Sequence, residues 1–263
     1  MEILVCVKRV PDLSENEIEL SASGSEIARD DLVYSVNEPD NYAVEEALQI
    51  IERSGGDVTV VTVGNEEDEE VLRRELAMGA KNAVLLREDA FSGSDGRGIA
   101  TTLKSFVRKG HYDLILTGVQ ADDAGAQVGG MLAALLDYPF ASLVNSIELK
   151  DGKTLKVTRE IEGGNREVNE IEMPCVLSIQ TGINEPRYVG MRGIRQVASV
   201  PIPSIGAAEL GINTDEVGES AAKVKRIDYF TPVGSKHAEM LQGSAEEMAA
   251  QLIELVKAKG GLQ

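Results

Sequence analysis

Tyr112–Tyr138 reads YDLILTGVQADDAGAQVGGMLAALLDY, and this stretch decides the fold. It opens on Leu114-Ile115-Leu116, an apolar run the length of one buried strand. A polar, Gly-containing loop follows, then an apolar, Ala-rich segment that predicts a helix from about Ala126 to Leu136. That order places a loop where the first N–H groups of a helix have no partner and point outward, which is how an anion cradle is built. Any strand–helix unit gives the same pattern, so its meaning depends on what surrounds it.

Upstream, the same grammar repeats. Ile3–Val7, Val58–Val63 and Ala83–Leu86 are continuous apolar runs, as expected of strands covered on both faces. Between them, Tyr42–Ile51 repeats Ala43, Ala47, Ile50 and Ile51 on one helix face, and Glu66–Gly79 does the same with Val71, Leu72, Leu76 and Met78. Ile99–Val107 lies in a third helix. Strands alternating with helices predict an α/β fold, a doubly wound parallel sheet with right-handed crossovers.

Downstream the pattern changes. Ser142–Glu148 and Thr154–Ile161 alternate around Lys150-Asp151-Gly152-Lys153, a hairpin signal. Glu162-Gly163-Gly164-Asn165 makes a second turn before Val168–Met173, and Cys175–Ile179 is one more apolar run. These predict an antiparallel extension of the same sheet, giving a first domain over 1–182. From Gly182 to about Lys236 the chain is rich in Gly, Pro and charge, and Pro186, Pro201 and Pro203 predict an extended segment leaving the globule. A last helix starts at Ser244, with Glu247 three residues on as a capping box, and presents Met248, Leu252, Leu255 and Val256 on one face. The 183–263 region thus reads as a C-terminal arm suited to clasping another subunit.

Composition narrows the function classes. With 26 Lys+Arg against 44 Asp+Glu the 263-residue chain carries −18, which argues against nucleic acid and anionic membrane as main partners. No apolar stretch reaches the length of a membrane span, and no signal peptide is visible. Cys6 and Cys175 are far apart in strand-like runs, fitting small core residues and a reducing, cytoplasmic compartment. His111 and His237 have no spacing that suggests a metal site or a catalytic pair.

Nor does a catalytic constellation emerge. Asp122-Asp123 can be read as metal ligands, acid–base groups, hydrogen-bond acceptors or solvated caps. Neither a P-loop nor a Gly-x-Gly-x-x-Gly after the first strand is present. Gly125, Gln127, Gly129 and Gly130 suit backbone contact with a phosphate, and Lys8-Arg9 is a basic pair near the sheet edge where such folds bind ligands.

Taken together, Val7-Lys8-Arg9-Val10-Pro11, Gly118-Val119-Gln120, Arg159-Glu160-Ile161-Glu162-Gly163-Gly164 and Asn184-Glu185-Pro186-Arg187-Tyr188 give the chain a resemblance to the β subunit of electron transfer flavoprotein. The segment Asn184–Tyr188, followed by Met191-Arg192-Gly193-Ile194, is the most diagnostic part. The resemblance implies an adenine-nucleotide α-hydrolase-like fold and a heterodimer with an α subunit that carries most of a redox FAD. It implies an AMP in this subunit, electrons taken from flavin dehydrogenases, and delivery towards a quinone oxidoreductase, without catalytic residues of its own.

By position, the resemblance assigns AMP contacts to Cys6, to Asn37, Glu38, Pro39 and Asp40, to Val63, and to Ala121, Asp122, Asp123, Ala124, Gly125, Ala126, Gln127, Val128, Gly129, Gly130 and Met131. It assigns partner docking to a segment of about 183–199, with Met191 as the apolar anchor among Arg187, Tyr188, Arg192, Ile194 and Arg195. The chain departs from better-known members in three places: a 120–129 loop one residue shorter, no lysine run after the docking segment, and Glu-Pro-Asp after Asn37. The last is similar to methylotroph-type subunits that serve an amine dehydrogenase. Two other readings stay open at this point: an electron-bifurcating member with a second FAD in the AMP site and NADH as donor, and a free-standing adenine-nucleotide sensor or hydrolase.

Overall fold

A computed structural model describes residues 1–22, 24, 26–121, 125–231 and 240–261. The chain falls into two compact units, a larger one of Met1–Ile18 and Ala28–Ile227 and a smaller one of Glu19–Ile27 and Asp228–Gln263.

In chain order the elements are β1 (Glu2–Cys6), β2 (Arg9–Pro11), β3 (Tyr34–Val36), α1 (Glu38–Ser54), β4 (Asp57–Val63), α2 (Glu69–Met78), β5 (Asn82–Leu86), α3 (Gly96–Val107) and β6 (Leu114–Gly118). They continue as α4 (Val128–Leu136), β7 (Phe140–Leu149), β8 (Thr154–Ile161), β9 (Asn165–Glu172), β10 (Cys175–Ile179), α5 (Met191–Val197), β11 (Ser204–Ile205), α6 (Ala207–Leu210), α7 (Gly218–Ala221) and α8 (Ala245–Ala258).

Nine strands form one sheet in the order β11-β5-β4-β1-β6-β10-β7-β8-β9. All pairs are parallel from β11 to β7, and the two β8 pairings are antiparallel, so the expected extension continues the sheet. β2 and β3 make a separate antiparallel ribbon.

The continuous apolar strands have the double-sided burial that their composition predicts. Ile3 and Val5 join one core with Val44 and Ala47 of α1 and Leu72 of α2. Leu4, between them, faces the other core with Leu103 of α3 and Leu132 of α4. Each strand is thus buried on alternate faces by a different helix pair, which is what double winding requires.

The starts of three helices are fixed by local contacts that periodicity does not weigh. α1 begins at Glu38, not Tyr42, because Asn37 takes the cap position and Pro39 occupies the first turn, where its missing N–H is harmless. α3 begins at Gly96, where the Asp95 side chain accepts from the Gly98 N–H at 3.0 Å. α4 begins at Val128; Gly125–Gln127 form a turn closed by the Gln127 N–H on the Gly125 carbonyl at 2.8 Å.

The segment after Gly182, expected to leave the globule, belongs to the larger unit as far as Ile227. β11 hydrogen-bonds to β5 and covers what was an open sheet edge. Pro201 and Pro203 keep that stretch extended, and the Pro203 carbonyl accepts from the Leu85 N–H at 3.0 Å. In the smaller unit, α8 has the predicted capping box: the Ser244 Oγ accepts from the Glu247 N–H, and the Glu247 carboxylate accepts from the Ser244 N–H. None of the α8 residues is buried.

Candidate functional site

The C-terminal ends of β1, β4 and β6 meet at one cavity of about 590 Å³, walled by Cys6–Lys8, Val61–Val63 and Thr117–Ala121. It lies where the strand order reverses, with β4 on one side of β1 and β6 on the other, and open α/β sheets take ligands in that crevice.

The start of α1 braces the cavity. The Asp40 carboxylate accepts from the Lys8 N–H and from the Gly118 N–H, both at 2.9 Å, so one side chain ties the ends of two strands. Burial pushes its pKa up to about 7, against the pull of hydrogen bonds from Asn37, Gly118 and Lys8. Asn37 is 1% exposed; its Nδ2 donates to the Gln120 carbonyl at 2.8 Å, while its Oδ1 is buried without a partner. Asn37 is one of the residues lining the cavity, and an amide of this kind can bond an adenine or a ribose hydroxyl.

The α4 start forms a second wall. Its N-cap residue, Gln127, makes no side-chain cap, and the first N–H groups, which have no partner within the helix, suit a phosphate oxygen. Gly129 is required by contact: a Cβ there would sit 2.3 Å from the Ser178 Oγ and 2.7 Å from the Thr117 Oγ1, a hydroxyl pair 2.9 Å apart. Only a residue without a side chain lets the helix end lie this close over β6 and β10.

A third wall went unread in the sequence. Gly93–Gly96, at the start of α3, and Val224–Arg226 also line the cavity. The signal was present as Ser92-Gly93-Ser94-Asp95-Gly96, small residues and a capping Asp between a strand and a helix. Lys8, Lys225 and Arg226 bring three cations to the wall, in a chain of −18 net charge.

Of the residues assigned by resemblance, the cavity collects Cys6, Asn37, Asp40, Val63 and Ala121, together with Gly125–Gly129. Glu38 is exposed, and Pro39, Gly130 and Met131 lie outside the lining; the Met131 side chain packs on the core beneath α3 and α4. Asp122, Asp123 and Ala124 lie outside the described residues, as does His237. The Cys6 thiol is pushed far up in pKa by burial and by the neighbouring Asp40, so it stays protonated. Lys8 reaches the cavity, whereas Arg9 stacks on the Tyr34 ring at 3.8 Å and pairs with Glu67 and Glu70. Among the described residues, no group of His, Cys, Asp and Glu could hold a metal ion, and no helix is long and apolar enough to cross a membrane.

The segment around Met191 lies elsewhere, on α1 and α2. Arg187 grips Glu45 through Nε at 2.8 Å and Nη2 at 3.0 Å, and reaches Glu52 at 2.9 Å. Asn184 donates to Glu46 and to the Tyr42 carbonyl, both at 3.1 Å. At the far end, Arg73 on α2 donates to the carbonyls of Val197, Ala198 and Val200. Held at both ends, the segment leaves Tyr188 93% and Met191 70% exposed, with Arg192 and Arg195 also in solvent and Ile194 partly covered.

This is a doubly wound α/β protein with a ligand crevice at its switch point and a separate, pinned surface segment. The family model for the electron transfer flavoprotein domain matches residues 25–210. An electron transfer flavoprotein subunit beta of Methylophilus methylotrophus is 38% identical over 262 residues, covering 97% of this chain and 98% of the relative. One from Bacillus subtilis is 33% identical, over 98% of both chains. The caffeyl-CoA reductase-Etf complex subunit CarD of Acetobacterium woodii is 35% identical over 98% of this chain and 99% of its own. The chain belongs to the electron transfer flavoprotein β-subunit family.

Proposed function

We propose that this β subunit binds AMP in the switch-point cavity and pairs with an α subunit carrying most of the FAD. In the cytoplasm, the pair takes electrons from flavin dehydrogenases and passes them towards a quinone oxidoreductase. The switch-point cavity, with Asn37, Lys8 and the α4 start in its wall, carries the nucleotide reading. In it, Asn37 accepts from the adenine or the sugar, and the N–H groups at the α4 start hold the phosphate. Asp40 keeps the β1 and β6 ends at their spacing, and Asp122 and Asp123 are acceptors, not an acid and a base. FAD, when bound by the pair, supplies the redox chemistry; this chain lends a surface and a rigid frame. The 183–263 region clasps the α subunit, and the exposed Leu252, Ile253 and Leu255 of α8 give it an apolar face to do so.

Denaturing the complex co-purified with its α subunit is expected to release one AMP and one FAD per heterodimer. Finding no adenine nucleotide refutes the cavity reading. A relative named as part of a caffeyl-CoA reductase complex supports a second reading, an electron-bifurcating subunit with FAD in place of AMP and NADH as donor. Two FAD and no AMP in the same assay decide for it.

Docking rests on Met191. An apolar side chain this exposed, with Arg192 and Arg195 beside it, matches an anchor for varied partner surfaces. Met191→Ala is expected to slow electron transfer from the partner dehydrogenase about tenfold or more, the scale of a hot-spot loss. AMP content and assembly should not change; wild-type transfer kinetics remove Met191 as an anchor.

A further inference from the structure

We propose that Lys223–Arg226 is a strap across the nucleotide cavity, latched by Asp95, and that Lys225 contributes its charge to holding the nucleotide phosphate. This rests on the AMP reading above and adds to the site a wall that the family resemblance did not assign.

Several independent contacts fix the strap. The Asp95 carboxylate caps α3 through one oxygen, and its other oxygen accepts from the Lys223 N–H at 2.7 Å and the Val224 N–H at 3.2 Å. One residue therefore joins a helix that lines the cavity to the strap that faces it. Just before the strap, the Gly218 N–H donates to the Ser94 Oγ at 2.7 Å and the Glu219 N–H to the Ser92 carbonyl at 3.1 Å. Gly218 has φ +78°, and a Cβ there would lie 2.4 Å from the Ala90 carbonyl oxygen. The chain can approach the loop before α3 this closely only with glycine at that point.

The chemistry of the wall points to an anion. Lys223, Lys225 and Arg226 put three cations into four residues of an otherwise acidic chain, and two of them line the cavity with Lys8. Asp40 and Asp95, the carboxylates of the described lining, are occupied by backbone N–H groups. The Gln127 side chain sits against Gly96, where an added Cβ would meet its Oε1 at 2.8 Å, so the α3 and α4 starts adjoin. A phosphate at the α4 start thus lies in a cavity that the strap also lines, beside the α3 start to which it is latched.

Two variants of the full heterodimer separate this role from folding. Asp95→Asn keeps a good helix cap through its one oxygen, since Asn and Asp serve equally well there, but turns an amide NH2 towards the strap N–H groups, which lose their acceptor. Lys225→Gln changes only the strap. With release of bound AMP followed by filtration and chromatography after dilution, Asp95→Asn is expected to release AMP about tenfold faster and Lys225→Gln about threefold faster, the scale of one weakened charge-assisted contact. Wild-type release rates in either variant overturn the proposal while leaving the AMP site standing. A wild-type complex that holds no AMP instead removes the reading beneath it.

Discussion

Arg187→Ala is expected to lower the stability of the protein by about 2–4 kcal/mol, the scale of breaking a buried ion pair with one partner still partly in water. The side chain it would abandon is Glu45, only 4% exposed, whereas Arg187 itself is 35% exposed. From Arg187, Glu45 accepts two guanidinium bonds and the backbone N–H at 3.0 Å, so truncation removes the guanidinium and leaves a charge in the interior. The Glu45 pKa is held below the ordinary range even though burial pushes it up, because hydrogen bonds from Arg187 and Gln49 outweigh burial. The double variant Glu45→Leu, Arg187→Met should recover most of the loss, since no uncompensated charge remains. Urea unfolding of the single and double variants measures both. A loss below about 1 kcal/mol for Arg187→Ala would reduce the pair to the level of a surface contact.

Glu75 makes the opposite case. It sits on α2 with 0% exposure, and neither carboxyl oxygen has a hydrogen-bond partner. Burial pushes its pKa up to about 8; Arg74 draws it down, and Asp40 and Glu45 add to the rise. The folded value lies above the ordinary Glu value of 4.5, so the folded protein binds the extra proton throughout that window. Stability is therefore fullest below about pH 4.5 as far as this group is concerned, and falls as the pH rises towards 8. Glu75→Leu should raise stability on the order of 3 kcal/mol at pH 8.5 and by much less at pH 5. Unfolding free energies at the two pH values test this, and a variant no more stable than wild type at pH 8.5 would show that the charge is compensated.

Much of the fold was legible because burial on both faces forces a strand to be apolar at every position. Leu114–Leu116 and Ile3–Val5 show this, since alternate residues enter different cores. Helix starts were less legible, as they depend on caps and on Pro39, which periodicity does not weigh. The long segment after Gly182 was misread because an edge strand two residues long has no period. What places it is the open edge of β5 and the reach of Arg73, both remote in sequence. Around the cavity, residues of one strand–loop–helix unit, Gly118–Ala121 and Gly125–Gly129, come to one wall as near neighbours in sequence. The α3 start and Val224–Arg226 do not, because only tertiary folding brings them to the cavity.

α1 ties two places that the chain otherwise keeps apart. Its first turn carries Asp40 at the cavity; one and a half turns on, Glu45 and Glu46 hold Arg187 and Asn184 of the segment that exposes Met191. At about 1.5 Å per residue, Asp40 and Glu45 are separated by only about 7.5 Å along the axis. The helix therefore acts as a spacer of fixed length between the cavity and the exposed segment. In an electron carrier, where transfer depends steeply on distance, the AMP proposed for the cavity would matter without reacting, by bracing one end of that spacer.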